Sequence, residues 1–335
     1  MSEPLKILIL KPSSFGDIIH TLPVLHGLRT ALPESRIDWL VAREYEGFLS
    51  GHEMINQVIP INKGRWKQIG YLYRTAEELW ELKNRLSAER YDMVLDLQGL
   101  FRTGLISSFT GAKRRIGFSD SRELSGIFYT ERVLVSDSMH AVRKNLLFLD
   151  HLGIKYAEPV FPLPEFPLPD GLPENYYVIS PGARWETKRW PSVYFREVMV
   201  GLSKQMPQFT PVIVGGKDEV GIAGEVLRGM ENLGLDLTGK TSLRELGGVL
   251  KGAAFMLTND SGPMHLAAAL NTPVFAIFGP TSPERTGPFS RKAVVLSSGM
   301  GCSPCFKKRC DNLKCMTGLE PEMLIKIILE RYKNF

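Results

Sequence analysis

No stretch of this 335-residue chain stays apolar for long. Runs such as Ile7 to Leu10 and Val274 to Phe278 fall far short of the roughly 20 residues needed to cross a bilayer, and no transmembrane helix is predicted. The opening residues, Met-Ser-Glu-Pro-Leu-Lys, lack the charged, apolar and small-residue succession of a signal peptide and lead into a strand-like segment. The protein is therefore expected to remain in the cytoplasm. Charge of one sign is also lacking: 41 basic against 36 acidic residues leave +5, too small an excess to suggest a nucleic-acid partner. After the first strand comes Pro-Ser-Ser-Phe-Gly-Asp in place of Gly-x-Gly-x-x-Gly, which argues against an NAD-dependent dehydrogenase. Cysteine is scarce, four residues gathered at Cys302, Cys305, Cys310 and Cys315. Disulfides are disfavoured in the cytoplasm. The spacing is compatible with zinc or an iron–sulfur cluster, yet the second closely spaced pair of a zinc motif is missing. Reduced thiols that order a loop, or a structural metal, are the two readings; no catalytic metal is expected.

What the chain has is enough apolar sequence, 44%, for two ordinary domains each with its own core. Ile7 to Leu10, Ile37 to Val41, Met93 to Leu97, Tyr177 to Ser180, Val212 to Val214, Phe255 to Thr258 and Val274 to Phe278 read as buried parallel strands. Stretches of helical period separate them, among them Thr75 to Arg90, Ala141 to Leu152, Val193 to Lys204 and Ser242 to Lys251. The alternation predicts an α/β fold with doubly wound sheets. A proline-dense segment, with Pro159, Pro162, Pro164, Pro167, Pro169 and Pro173, can continue neither a helix nor a central strand. It divides the chain into residues 1–156, a linker at 157–173 and residues 174–335, with a cleft expected where the strand ends of both Rossmann-like domains face each other. The last helix, Glu320 to Lys333, is expected to be free to fold back on the first domain.

Two strand-to-helix turns carry the residues best suited to chemistry. In the first, Lys11 to Pro23, Gly16 permits close backbone approach, Ser13 and Ser14 offer donors and Asp17 offers a carboxylate able to act as a base. The same serines and aspartate are also ordinary helix caps. In the second, Thr258 to Leu266, Asp260, Ser261 and Gly262 precede Pro263 at a helix start whose N–H groups favour an anion such as a pyrophosphate, and His265 lies one turn in. A capped helix with His265 in the core is the alternative there. Two further segments lie in the same half. Lys188 follows a strand and suits a phosphate, or is simply exposed, and the acidic Asp218 and Glu219 after Gly215-Gly216 suit ribose hydroxyls, or open a helix. Basic clusters at Lys63-Gly64-Arg65-Trp66-Lys67, Lys113-Arg114-Arg115 and Arg143-Lys144 fit an anionic acceptor or a peripheral contact with the inner membrane, and equally fit solvated loops.

Taken in order, Ser13-Ser14-Phe15-Gly16-Asp17 with His20-Thr21-Leu22-Pro23, Asp96-Leu97-Gln98-Gly99-Leu100, Lys188-Arg189-Trp190-Pro191 and Asn259-Asp260-Ser261-Gly262-Pro263-Met264-His265 resemble the motifs of glycosyltransferase family 9, the bacterial lipopolysaccharide heptosyltransferases, over nearly the whole chain. The resemblance implies a GT-B fold, with an anionic lipid A/Kdo-type acceptor on the N-terminal domain and ADP-heptose on the C-terminal one. It makes Asp17 the catalytic base and places Ser13, Ser14, Gly16, Lys188, Asp260, Ser261, Gly262 and His265 around the sugar nucleotide. Thr241 and Glu219 then resemble adenosine contacts, with Asp218 equally placed for the latter, and Arg122 and Arg143 resemble arginines that face the acceptor core. The opening motif is closer to heptosyltransferase I, which adds the first heptose to Kdo, than to heptosyltransferase II, whereas the cysteine segment is similar to a feature of other members.

These readings converge on an inverting transfer without a metal ion. Asp17 takes the acceptor proton, and Lys188 with the N–H groups near Ser261 and Gly262 absorbs the charge of the leaving diphosphate. A sugar-nucleotide epimerase of the same architecture, or a protein that binds nucleotides or anionic glycolipids without turnover, are the rival readings.

Overall fold

The computed structural model describes residues 4–64, 72–136 and 138–333. Arg65, Trp66 and Lys67 of the first basic cluster lie outside the described residues. The chain divides into two compact units, Met1–Pro164 and Glu165–Phe335.

The first unit is built on one parallel sheet of β1 (Lys6–Leu10), β2 (Arg36–Ala42), β3 (Gln57–Ile61), β4 (Met93–Asp96), β5 (Arg114–Phe118) and β6 (Glu131–Val133), in the order β3-β2-β1-β4-β5-β6. Its helices are α1 (Phe15–Ile19), α2 (Leu22–Ala31), α3 (Glu46–Leu49), α4 (Leu72–Glu89), α5 (Phe101–Phe109) and α6 (Ala141–His151). Because alternate side chains of a strand point to opposite faces, a sheet covered on both sides needs continuous apolar strands, which is how Ile7-Leu8-Ile9-Leu10 reads. Leu8, Leu10, Leu40 and Val94 pack on one face against Leu82 and Leu86 of α4 and Ile106 of α5. Gly27 of α2 lets that helix approach α6, since a Cβ there would overlap Leu149.

The second unit repeats the plan. Its strands β7 (Tyr176–Ser180), β8 (Thr210–Ile213), β9 (Leu235–Asp236), β10 (Met256–Asn259), β11 (Val274–Ile277) and β12 (Ala293–Leu296) are parallel, in the order β12-β11-β10-β7-β8-β9. Its helices are α7 (Ser192–Gln205), α8 (Val220–Leu227), α9 (Leu243–Gly252), α10 (Gly262–Ala269), α11 (Pro283–Thr286), α12 (Lys314–Thr317) and α13 (Pro321–Tyr332). Numbered from its own first strand, each sheet runs 3-2-1-4-5-6, the doubly wound order. That order places a topological switch point between β1 and β4 in one unit and between β7 and β10 in the other. The α/β class expected from the strand–helix alternation is thus the observed one.

The final helix, α13, buries Leu324 and Ile328 in the core of the second unit, and Gly201 of α7 makes room for Ile325. These contacts lie within the second unit. The proline-rich segment is held at both ends. His52 Nε2 lies 2.8 Å from the carbonyl of Pro162 within the first unit, and Phe166 and Pro167 seat on Gly247 and Gly248 of α9 within the second. The two glycines, unfavourable inside a helix by about 1 kcal/mol each, are the positions where a side chain would collide with that segment.

Candidate active site

In an open parallel sheet the strand ends at the switch point form a natural binding corner, since the neighbouring loops diverge there. In the first unit the loops after β1 and β4 meet at that corner. Ser14 donates from both its main-chain N–H and its hydroxyl to Asp17 Oδ2, each at 2.8 Å. The capping expected of this turn is thus observed. The cap fixes Oδ2, and Asp17 remains only half-buried at the turn. Gly16 is buried within α1, and Ser13 N–H reaches Gln98 Oε1 of the β4 loop at 3.3 Å. That loop is ordered by Asp96, fully buried, whose Oδ1 accepts the N–H groups of Gln98 and Gly99 at 2.9 and 3.0 Å and whose Oδ2 accepts the Tyr129 hydroxyl at 2.7 Å. Burial pushes the Asp96 carboxyl up from its ordinary value, and these donors act against that shift. Gly99, at φ 67°, supplies the left-handed backbone the turn requires.

Of the predicted acceptor arginines, Arg122 follows β5 and its main-chain N–H bonds to the carbonyl of Gly99, which brings it to this corner. Arg143 of α6 pairs with Glu158 at 3.7 Å. Its neighbour Lys144 pairs with Asp120 at 2.6 Å and lies 4.6 Å from the centre of the Phe118 ring, at the end of β5. In the Lys113-Arg114-Arg115 cluster, Arg114 is bound to Glu131, and Arg115 donates to the carbonyls of Phe128 and Ala112. Those two cations brace the β5–β6 connection.

The matching corner of the second unit lies after β7 and β10. Asn259, fully buried, accepts the Trp190 N–H at 3.1 Å and donates to the Pro181 carbonyl at 2.7 Å, which ties the two loops together. Across that tie Lys188 Nζ meets Asp260 Oδ2 at 2.7 Å, and the same oxygen accepts the Thr281 hydroxyl at 2.6 Å. Lys188 also sits 4.9 Å from the centre of the Trp185 ring, and Lys308 at 5.2 Å from it. Ser261 is the N-cap residue of α10, Pro263 occupies its first turn, and Gly262 opens the helix. The leading N–H groups of a helix have no acceptor within it, and the dipole favours an anion there. His265 is buried one turn in.

The pair of acids left open by sequence is separated by packing. Asp218 is exposed, whereas Glu219 is half-buried against the ends of β7 and β8, with Oε2 accepting the Gly216 N–H at 2.8 Å. Burial raises the Glu219 carboxyl above its ordinary value, and that bond partly offsets the shift. A Cβ on Gly182 would overlap the Glu219 carboxylate. Gly182→Ala is therefore expected to swing Glu219 out of its seat and destabilise the second unit by about 1–3 kcal/mol, as thermal unfolding would show. Thr241 immediately precedes Ser242, the N-cap of α9, and is half-buried.

All four cysteines are free thiols in the segment after β12, Cys315 buried and Cys302 and Cys310 exposed. Among the described residues no group of three or more His, Cys, Asp or Glu is arranged to hold a metal ion. The segment is fastened to the β11 loop by the N–H groups of Cys305 and Phe306, which both bond to the Pro280 carbonyl. Sequence reasoning gave Lys11 and Trp185 no role, although both lie in its candidate segments, and did not name Thr281. The only signal for them was position, one at a strand end and two in loops flanking recognised motifs. No described helix is long and apolar enough to cross a membrane.

Residues 79–316 match the sequence profile of glycosyltransferase family 9 (heptosyltransferase). The chain is 34% identical to lipopolysaccharide heptosyltransferase 1 of Pseudomonas aeruginosa over 318 residues, 91% of this chain and 87% of the relative. Against lipopolysaccharide heptosyltransferase 2 of Escherichia coli it is 27% identical, over 87% of this chain and 88% of that one. Among solved structures it is similar to the E. coli heptosyltransferase WaaC with ADP, with a TM-score of 0.81 and 26% identity over 98% of this chain and 100% of that one.

Proposed function

Because the chain belongs to glycosyltransferase family 9, we propose that it transfers heptose from ADP-heptose to the inner core of lipopolysaccharide, with Asp17 as general base. The greater likeness to a type 1 than to a type 2 heptosyltransferase favours the first addition, onto Kdo. The acceptor, an anionic glycolipid, belongs with Arg122 and Arg143 on the first unit, and its lipid anchor implies a peripheral contact with the membrane. The donor belongs with Lys188, Glu219, Thr241, Asp260, Ser261, Gly262 and His265 on the second unit.

In this reading the Asp17 carboxylate takes the proton of the acceptor hydroxyl as its oxygen bonds to the anomeric carbon. The bond from that carbon to the diphosphate oxygen breaks on the opposite face, and ADP leaves with the bonding electrons. Negative charge grows on the diphosphate, where the Lys188 ammonium and the N–H groups opening α10 oppose it without a divalent cation. The observation that carries the reading is the half-buried Asp17 carboxylate at the first switch point, oriented through Oδ2 by Ser14.

Mass spectrometry of products after mixing the protein with ADP-heptose and Kdo-lipid A, with and without excess chelator, tests it. The expected product is acceptor plus one heptose in both arms. Epimerised donor in a parallel acceptor-free arm, read by NMR because epimers share one mass, or no product at all, would overturn the reading, and loss of product in chelator alone would overturn its metal-free part.

A further inference from the structure

The cysteine-bearing segment after β12 is laid against the corner after β7 and β10. The Ser303 hydroxyl donates to the carbonyl of Gly279, and the N–H groups of Cys305 and Phe306 reach the carbonyl of Pro280 at 3.1 and 2.8 Å. The hydroxyl of buried Thr187 donates to the carbonyl of Lys307 at 2.8 Å. Gly279 and Pro280 lead into Thr281, which holds Asp260, and Thr187 immediately precedes Lys188. The backbone at Lys307 is thereby fixed beside the loop after β7, and the next side chain, Lys308, is delivered to the Trp185 ring. Its ammonium lies 5.2 Å from the ring centre and that of Lys188 4.9 Å, so the two nitrogens are at most the sum of those distances apart.

The two cations differ in what they can offer an anion. Lys188 meets Asp260 at 2.7 Å, and that ion pair is neutral as a whole. Lys308 is exposed and, among the described residues, has no acidic partner. The negative face of an aromatic ring orients an ammonium, and an ammonium on a flexible stem is a point charge suited to phosphate. We propose that Lys308 binds the diphosphate of the donor together with Lys188 and supplies the net positive charge that the neutral Lys188–Asp260 pair does not. This inference rests on the reading that places the diphosphate at Lys188. Charge on the diphosphate grows as its bond to the sugar breaks, so an ammonium there serves turnover as well as binding.

The test measures ADP and adenosine affinity by calorimetry for the wild type, Lys308→Met, Lys308→Arg and Lys307→Met. Adenosine lacks the phosphates. Methionine keeps an apolar stem beside Trp185 without the charge, arginine keeps the charge, and Lys307→Met removes an equal charge one residue away, where the carbonyl is what the fold uses. Lys308→Met is expected to weaken ADP binding roughly tenfold and leave adenosine binding unchanged. It should lower kcat/KM for ADP-heptose by at least the same factor. Lys308→Arg and Lys307→Met should keep most of the wild-type affinity for ADP. A wild type that prefers ADP to adenosine, with the same preference intact in Lys308→Met, would overturn the role of Lys308 and leave the donor corner standing. A wild type without that preference would remove the donor corner and this inference together. A loss as large in Lys307→Met or Lys308→Arg as in Lys308→Met would also overturn the proposal, because the effect would then not be that of a charge at position 308.

Discussion

Asparagine at position 17 is expected to lower kcat by about 10²–10⁴-fold while leaving the KM values for donor and acceptor within a few-fold of wild type. The substitution is chosen for what it preserves. Asparagine's side-chain oxygen still accepts from the Ser14 N–H and hydroxyl, so the turn that opens α1 keeps its cap and only the proton acceptor is lost. Alanine removes both, and should add a stability loss of about 1 kcal/mol, visible as a lower Tm, to the same loss of turnover. Wild-type kcat in Asp17→Asn, measured with the fold intact by circular dichroism, would show that the carboxylate only caps the turn.

Lys188→Met is expected to reduce kcat/KM by about 10²–10³-fold, through loss of the cation proposed to meet the leaving diphosphate. It should also destabilise the second unit, because Asp260, 6% exposed, would lose its cationic partner and retain the Thr281 hydroxyl at Oδ2. Breaking a buried pair on one side costs up to about 3 kcal/mol. Adding Asp260→Asn should recover much of that stability, since a neutral amide needs no counter-charge, and should recover none of the activity. Kinetics and thermal unfolding of the single and double variants separate the two effects. Undiminished ADP affinity in Lys188→Met, measured by calorimetry, would remove the residue from the donor site.

The central strands were legible in the sequence because they are buried on both faces and so are written as uninterrupted apolar runs. Every one of the seven runs taken as a strand forms one, shifted by a residue or two at its ends. The five strands that escaped notice differ in kind. β3 contains Pro60, which an outermost strand tolerates because its N–H need not join a ladder. β9 has two residues and β6 three, too short to show a pattern. β12 is half-exposed, and β5 begins with Arg114 and Arg115, which read as a basic cluster and in fact brace the strand's own neighbourhood. Candidate residues were legible where they sit in motifs after strands 1 and 4 of each sheet. Lys11 was not, because a lysine at the end of an apolar run looks like the surface resuming, and only packing reveals that it is covered.

The chain has no short internal repeat, yet its two sheets share one strand order. Equivalent corners nevertheless carry different side chains, Asp17 after the first strand of one sheet and Lys188, paired with Asp260, after the first strand of the other. Each corner is fixed by its own hydrogen bonds within its own folding unit. In the proposed assignment the acceptor residues and the donor residues thus lie in separate compact units, and substitutions in one need not disturb the packing of the other. A fold used twice in this way lets an enzyme acquire a new recipient without relearning its donor.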